Sequence, residues 1–190
     1  MGREFELKYR ADAGQIDAIR AKFGKFSPIS METVYYDTPA HDLRRRHWTL
    51  RRRYENGRSV CTLKTPLPDG SRGEWETGCG SIEDAIPELC KLGAPKALLL
   101  YTAGGVEPFC GAKFTRLAKT LTLESCTVEL ALDQGVLIGG GQELAFAEVE
   151  VELKGGSEPA AVAFARDLAA EFGLAPEPKS KVQRAMALVD

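Results

Sequence analysis

Histidine is nearly absent from this chain of 190 residues, and cysteine occurs without any ligand spacing. His41 and His47 lie six residues apart in an Arg-rich stretch, with no third ligand beside them. They read as loop or surface residues and not as half of a zinc site. Cys61, Cys79, Cys90, Cys110 and Cys126 are odd in number and form no Cys-x-x-Cys pair. That excludes a disulfide framework and a thiolate metal site, and leaves small buried hydrophobes in a reducing compartment. No apolar run approaches the ~20 residues that span a bilayer, and no signal-peptide core precedes the first strand pattern. A cytoplasmic protein without a membrane partner is expected. An excess of one charge is missing too, since 25 basic and 27 acidic residues leave a net charge of −2. A basic footprint for nucleic acid is therefore not expected. The cancellation hides local bias, because six of the ten positions 44–53 are Arg and a second basic group lies at 179–184.

What the sequence does have is strand alternation carrying charge. With 27% charged and 44% hydrophobic residues, the chain has the composition and length of one folded domain, residues 1–190. In the first ten residues Glu4, Glu6, Lys8 and Arg10 alternate with Phe5, Leu7 and Tyr9. Successive strand side chains point to opposite faces, so one face is charged and the other apolar. The pattern returns at Arg51/Arg53, Thr62/Lys64, Arg72/Glu74/Glu76, Glu129/Asp133 and Glu148/Glu150/Glu152. One such strand is an ordinary solvated face. Three carboxylates on one strand face repel unless a cation sits among them, and the repetition points to a charged lumen.

Strands are expected near 2–11, 30–37, 47–55, 58–65, 72–79, 109–123, 126–133 and 145–154. Asn56-Gly57 is a hairpin turn between the third and fourth of these. Helices are expected after Asp12 up to Gly24, as two short pieces within 81–101, over 158–172 between Ser157 and Gly173, and after Pro178. This is an α+β chain, and eight antiparallel strands can close into a barrel without exposed edges. In such a barrel Lys8, Arg51, Lys64, Glu76, Asp133 and Glu150 point inward. Phe5, Leu7, Val149 and Val151 point outward, where the helices at 12–23 and 158–172 must cover them.

The carboxylates Glu4, Glu6, Asp133, Glu148, Glu150 and Glu152 are hard oxygen ligands, suited to Mg²⁺ or Mn²⁺. Lys8, Arg51, Arg53, Lys64, Arg116, Lys181 and Arg184 are too many cations for one phosphate and match a linear polyphosphate. Acidic and basic groups in one cavity make the layout of metal-assisted phosphoryl transfer. Mutual pairing of these charges on a solvated face is the competing explanation, about as good for any one pair but weak for the whole set.

Glu4-Phe5-Glu6-Leu7-Lys8 resembles the Glu-x-Glu-x-Lys signature of CYTH domains, the triphosphate tunnel metalloenzymes. The resemblance continues through Tyr35-Tyr36-Asp37-Thr38-Pro39, Leu50-Arg51-Arg52-Arg53, Thr62-Leu63-Lys64-Thr65, Ala131-Leu132-Asp133-Gln134-Gly135, the 148–152 alternation and Ser180-Lys181-x-x-Arg184. Several of these segments look most like the bacterial inorganic triphosphatases. The resemblance implies an eight-stranded antiparallel tunnel that hydrolyses triphosphate with Mg²⁺ or Mn²⁺. Glu4, Glu6, Glu148 and Glu150 would then be metal ligands, with Glu152 as a further ligand or a supporting group. Lys8, Arg51, Arg53, Lys64, Arg116, Lys181 and Arg184 would hold phosphates, and Lys8 beside Glu6 and Glu150 would serve the chemistry. Lys113 and Lys119 match the family pattern loosely. The same resemblance leaves adenylate cyclase and thiamine triphosphatase as alternatives, with ATP or thiamine triphosphate as substrate. A non-catalytic polyphosphate or nucleotide sensor is a reading of another class, and the retained carboxylates argue against it. The oligomeric state is open between monomer and homodimer.

Overall fold

In the computed structural model residues 5–68 and 72–189 are described. Glu6–Arg10 form β1 and Ala13–Phe23 form α1. Asp12 caps that helix, accepting from the Gln15 amide at 2.8 Å, while the Gln15 side chain accepts from the Asp12 amide at 2.9 Å. Ser27–Asp37 form β2, Thr49–Glu55 β3, Arg58–Pro66 β4 and Arg72–Gly78 β5. A single tight turn at Arg44–Arg46 precedes β3. Two helices follow, α2 at Ile82–Lys91, capped by Ser81, and α3 at Ala97–Tyr101. The long strands β6, Glu107–Thr122, β7, Cys126–Gly139, and β8, Gln142–Gly156, lead into α4 at Glu158–Phe172. The chain ends with β9 at Ala175–Pro176 and α5 at Lys181–Met186.

All nine strands belong to one sheet, in the order β5-β4-β3-β2-β6-β7-β8-β1-β9, and every pairing in it is antiparallel. The expected antiparallel α+β architecture is present, with two differences. A ninth, two-residue strand pairs with β1. Among the described residues no hydrogen-bonded ladder joins the terminal strands β5 and β9. The sheet instead curls so that Glu6 and Lys8 of β1 line the same cavity as Lys64 of β4 and Arg72 of β5.

Three strands run well beyond what alternation predicts. β7 continues to Gly139 and β8 starts at Gln142, joined through Gly140 and Gly141 at φ 55° and 73°. Positive φ at both turn residues matches the twist of a two-residue hairpin. The stretch Val136-Leu137-Ile138-Gly139 lacks the charged alternation that marks the rest of β7. β2 likewise begins three residues earlier, at Ser27.

Two cores clothe the outside of the sheet and one fills an end of the inside. Tyr9, Leu130, Leu132, Val149 and Val151 pack with Ile16 and Ile19 of α1 and Ala161, Ala165 and Leu168 of α4. This is the cover expected for Leu7, Val149 and Val151 of the outward row, whereas Phe5, expected outward with them, precedes β1 and borders the lumenal cavity. Leu50, Leu63 and Trp75 pack under Ile82, Leu89 and Leu98 of α2 and α3. Inside, Met31, Tyr35, Phe114 and Leu137 meet Ala185 of α5. That helix seats against backbone: a Cβ on Gly139 would stand 2.4 Å from the Ala185 carbonyl oxygen. Among the described residues no helix is long and apolar enough to cross a membrane.

Leu130 is fully buried between sheet and helices. Leu130→Ala should lower the unfolding free energy by about 2–5 kcal/mol in urea denaturation while the circular dichroism of the folded state is kept. A loss below about 0.5 kcal/mol would contradict the placement of this core.

Candidate active site in the lumen

Register turns the alternating charges into rungs across β1, β8 and β7. Glu6 lies opposite Glu152, which lies opposite Glu129. Lys8 lies opposite Glu150, whose other neighbour is Ala131. Glu148 lies opposite Asp133, which lies opposite Arg116 on β6. Of these, Glu6, Lys8, Arg116, Glu150 and Glu152 line, with Arg51, Arg53, Lys64 and Lys181, a lumenal space of about 360 Å³. Glu4 lies outside the described residues.

The deepest charges neutralise one another. Arg116 grips Asp133 with two parallel bonds, Nε to Oδ1 and Nη2 to Oδ2, both 2.8 Å, and also pairs with Glu150. Lys181, from the first turn of α5, reaches Asp133 Oδ2 and Glu150 Oε1 at 2.8 Å each and bonds Glu148. Arg184, one turn on, pairs with Glu148 and stands 3.9 Å from Glu177. Three anions and three cations thus form one cluster, and Asp133 and Glu148 have no exposed surface. Aromatic faces back the cations: Lys181 Nζ stands 5.1 Å from the Phe114 ring centre and 5.6 Å from that of Phe146.

Burial alone would raise the Glu150 carboxyl, but Lys181 and Arg116 outweigh it and hold the group well below the usual carboxylate range. Burial pushes Glu148 upward, countered only partly by Lys181. Burial also opposes the Lys181 ammonium, yet Glu150, Asp133 and Glu148 raise it above its ordinary value. Asp133, Glu148 and Glu150 each offer an oxygen within 4.8 Å of the others, a spacing that can hold an ion. Lys181 Nζ occupies that focus. The Glu6–Glu152–Glu129 rung is different, since its like charges stand directly opposite one another at roughly 5 Å between Cβ atoms. Lys8 stands 3.8 Å from Glu6, and Lys154 stands 2.8 Å from Glu152. Its donors are carboxylates only, so a hard divalent cation fits this rung.

The other wall carries cations with unsatisfied donors. Arg51 stands 3.9 Å and Lys64 3.4 Å from the same oxygen of Glu74, and Arg53 pairs with Glu55. The Nε atoms of Arg51 and Arg53 are buried and donate to nothing among the described residues. Burial and then the neighbouring Arg51 charge lower the Arg53 pKa, which marks a crowded cationic wall. An anion supplying oxygen acceptors would relieve both the orphaned donors and the crowding.

The structure brings together Glu6, Lys8, Arg51, Arg53, Lys64, Arg116, Asp133, Glu148, Glu150, Glu152, Lys181 and Arg184: Arg116, Asp133, Glu148, Glu150, Lys181 and Arg184 share one ion network, and the others form separate pairs around it. Lys113 and Lys119 are not among them: Lys113 pairs with Glu32 at 3.2 Å on an exposed face, and Lys119 donates to the Phe23 carbonyl outside the sheet. Alternation missed the supporting role of Glu177, which is buried beyond β9. Its amide donates to the Lys8 carbonyl at 2.9 Å and its carboxylate accepts from the Lys179 amide at 3.0 Å. It ties the entry of α5 to β1, and no local pattern announces it. Thr33 and Tyr35, also lumenal, share the face of Met31 in the period of β2 and could have been found that way.

A CYTH domain model matches residues 2–186. Among curated proteins, an inorganic triphosphatase of Haemophilus influenzae is 28% identical over 162 residues, 84% of this chain and 46% of that protein. An uncharacterized protein of Mycobacterium tuberculosis is 39% identical over 57 residues, 30% of this chain and 11% of that one. The chain therefore spans less than half the length of these curated relatives. Among solved structures, a putative adenylyl cyclase from Hippeastrum, described as having a dominant triphosphatase activity, aligns with a TM-score of 0.69 at 18% identity, over 98% of this chain and 97% of that one. A putative adenylate cyclase from Bacillus halodurans aligns with a TM-score of 0.66 at 20% identity, over 97% and 98%. At such identities these two speak for the fold alone.

Lys181 is the cation whose loss leaves the cluster unbalanced. Glu150, depressed in the fold, contributes stability above its unfolded pKa of roughly 4.3 that is lost as the pH falls through its lower folded value. In metal-free protein, Lys181→Met should cost about 3–5 kcal/mol at pH 7, as breaking one side of a buried pair does. It should also remove the rise of unfolding free energy with pH that Glu150 gives below about 4.3, and give a steeper fall between about 4 and 7, because the crowded carboxylates then retain protons in the fold. Urea titrations across that range giving the wild-type slope would contradict the arrangement.

Proposed function

Because the chain belongs to the CYTH family, we propose that it is a metal-dependent hydrolase of inorganic triphosphate or a related triphosphate compound. The observation that carries this reading is one lumen holding orphaned Arg51 and Arg53 donors on one wall and the in-register Glu6–Glu152–Glu129 carboxylates on another. An anion binder needs only the first wall. Arg51, Arg53 and Lys64 hold the phosphate oxygens, with Lys8, Arg116, Lys181 and Arg184 adding positive charge from the other side. Glu6, Glu150 and Glu152, with Glu4, are the ligands for Mg²⁺ or Mn²⁺. Asp133 and Glu148 fix Lys181, Arg184 and Arg116 in place, and their oxygens are the inner end of the same carboxylate wall.

A bound divalent cation supplies phosphate charge neutralisation and a more acidic water. Glu150 is held ionised by Lys181 and Arg116, so it contributes fixed negative charge and does not store a proton. Lys8 lies opposite Glu150 and 3.8 Å from Glu6, where its ammonium can follow the charge that grows on the phosphate being cleaved. The water oxygen bonds to the terminal phosphorus, the anhydride P–O bond to that phosphorus breaks, and diphosphate leaves.

The direct test is phosphate release from tripolyphosphate, ATP and thiamine triphosphate with Mg²⁺, Mn²⁺ or EDTA, with cyclic AMP measured in the ATP reaction. Metal-dependent release is expected, and tight binding without turnover would favour the sensor instead. Lys8→Ala should lower kcat by about 10²–10³-fold. Arg53→Ala should act mainly on KM, raising it about 10- to 100-fold. Glu6→Gln should abolish metal-dependent turnover with the fold intact. Activity within a few-fold of wild type in Glu6→Gln would remove it from the metal site.

A further inference from the structure

Tyr35 of β2 is only 4% exposed, and it lines the lumen beside Ser180 and Val182 at the start of α5. Its ring belongs to the inner core with Met31, Phe114 and Ala185. Its hydroxyl makes no hydrogen bond within the described residues. A buried donor left unpaired is costly, so a group of this kind points to a ligand that completes it. The lumenal roles given above use charged side chains alone and leave this hydroxyl idle.

Register sets Tyr35 opposite Arg51 of β3 and Cys110 of β6. Arg51 and then Lys181 are the cations that act on its hydroxyl, which therefore lies between the cationic wall and the buried ion cluster. Burial outweighs both and holds the phenol above its ordinary pKa, so it remains a donor. The metal rung is at the other end. Glu129 and Glu152 border a wider space with Glu55, which Tyr35 does not reach. Between the two ends β3 supplies Arg51 and Arg53, which border both spaces. The cations at the α5 end are already engaged, Lys181 with three carboxylates and Arg44 with Asp37. A phosphate seated there meets a neutral donor, which bonds its oxygen without adding charge to the crowded wall.

Resting on the hydrolase reading above, we propose that the Tyr35 hydroxyl donates to an oxygen of the phosphate farthest from the metal rung and so holds the diphosphate that leaves. The hydroxyl takes no part in the bond exchange. Water attacks the terminal phosphorus at the metal end, one water proton passes to solvent, and the anhydride electron pair departs on the diphosphate. A bond made equally in substrate and transition state lowers KM without raising kcat. Because it persists in the product, it also strengthens inhibition by diphosphate. Orthophosphate, formed at the metal end, is outside its reach.

The test is Tyr35→Phe, assayed with Mg²⁺ and tripolyphosphate and with each product as inhibitor. Loss of an unbonded hydroxyl should leave the Tm unchanged or slightly higher. KM should rise about tenfold or more, with kcat within about threefold of wild type. The diphosphate inhibition constant should rise by a similar factor, while that of orthophosphate stays within about twofold. A merely structural role would weaken both products together or lower kcat. An unchanged KM, equal weakening of the two products, or a Tm lowered by several degrees would each overturn the assignment and leave the hydrolase reading standing. Failure of the wild type to hydrolyse tripolyphosphate would overturn that reading instead. Calorimetric titration with diphosphate then still separates the two claims, since equal affinity in wild type and variant would remove the hydrogen bond as well.

Discussion

Six charges buried together, Asp133, Glu148 and Glu150 against Arg116, Lys181 and Arg184, are the interaction on which the rest of the lumen depends. Three strands and one helix meet there, because β6, β7 and β8 supply four of the groups and α5 the other two. Buried ions carry a desolvation cost that only close pairing offsets, so no member can be moved without stranding another. This requirement fixes the short helix α5 at the end of the lumen, with the Gly139 backbone giving it room and Glu177 anchoring its approach. The cluster does not merely add stability. It sets which charges are already satisfied and which are left for a ligand.

The remaining charges fall into two unequal walls. On β3 and β4, Arg51 and Lys64 stand beside the same Glu74 oxygen, and the Nε atoms of Arg51 and Arg53 donate to nothing among the described residues. On β1, β7 and β8, Glu6, Glu152 and Glu129 face one another in register. Each wall is destabilised by its own like charges, and each would be relieved by a ligand of opposite sign. A triphosphate and a divalent cation supply those two signs and also attract one another. Two walls of opposite charge facing one lumen are the physical basis of the proposed function.

Much of this was legible in the sequence because strands write their two faces into alternate positions. Glu6, Lys8, Arg51, Arg53, Lys64, Arg116, Asp133, Glu148, Glu150 and Glu152 all sit on the face that alternation assigns them, and Val149 and Val151 sit in the helix-covered core. The capping signals of Asp12, Ser81 and Ser157 placed three helices for equally local reasons. What alternation could not give was register. Whether Glu150 faces Lys8 or Arg116 depends on strand pairings between distant parts of the chain, and so does the identity of the carboxylates that Lys181 claims. Nor does period-two patterning apply to β9, two residues long, or to Glu177 outside any strand.

The account therefore rests on a division of labour among the carboxylates, with Asp133 and Glu148 holding cations of the protein and Glu6 and Glu152 left for a metal. A crystal structure with Mn²⁺ and a non-hydrolysable triphosphate analogue tests this most directly, through the anomalous difference map. The strongest Mn²⁺ peak is expected against Glu6, Glu150 and Glu152, with Lys181 still among Asp133, Glu148 and Glu150 and phosphate oxygens on the Nε atoms of Arg51 and Arg53. Mn²⁺ seated between Asp133 and Glu148 with Lys181 expelled, or an analogue bound outside the lumen, would contradict it.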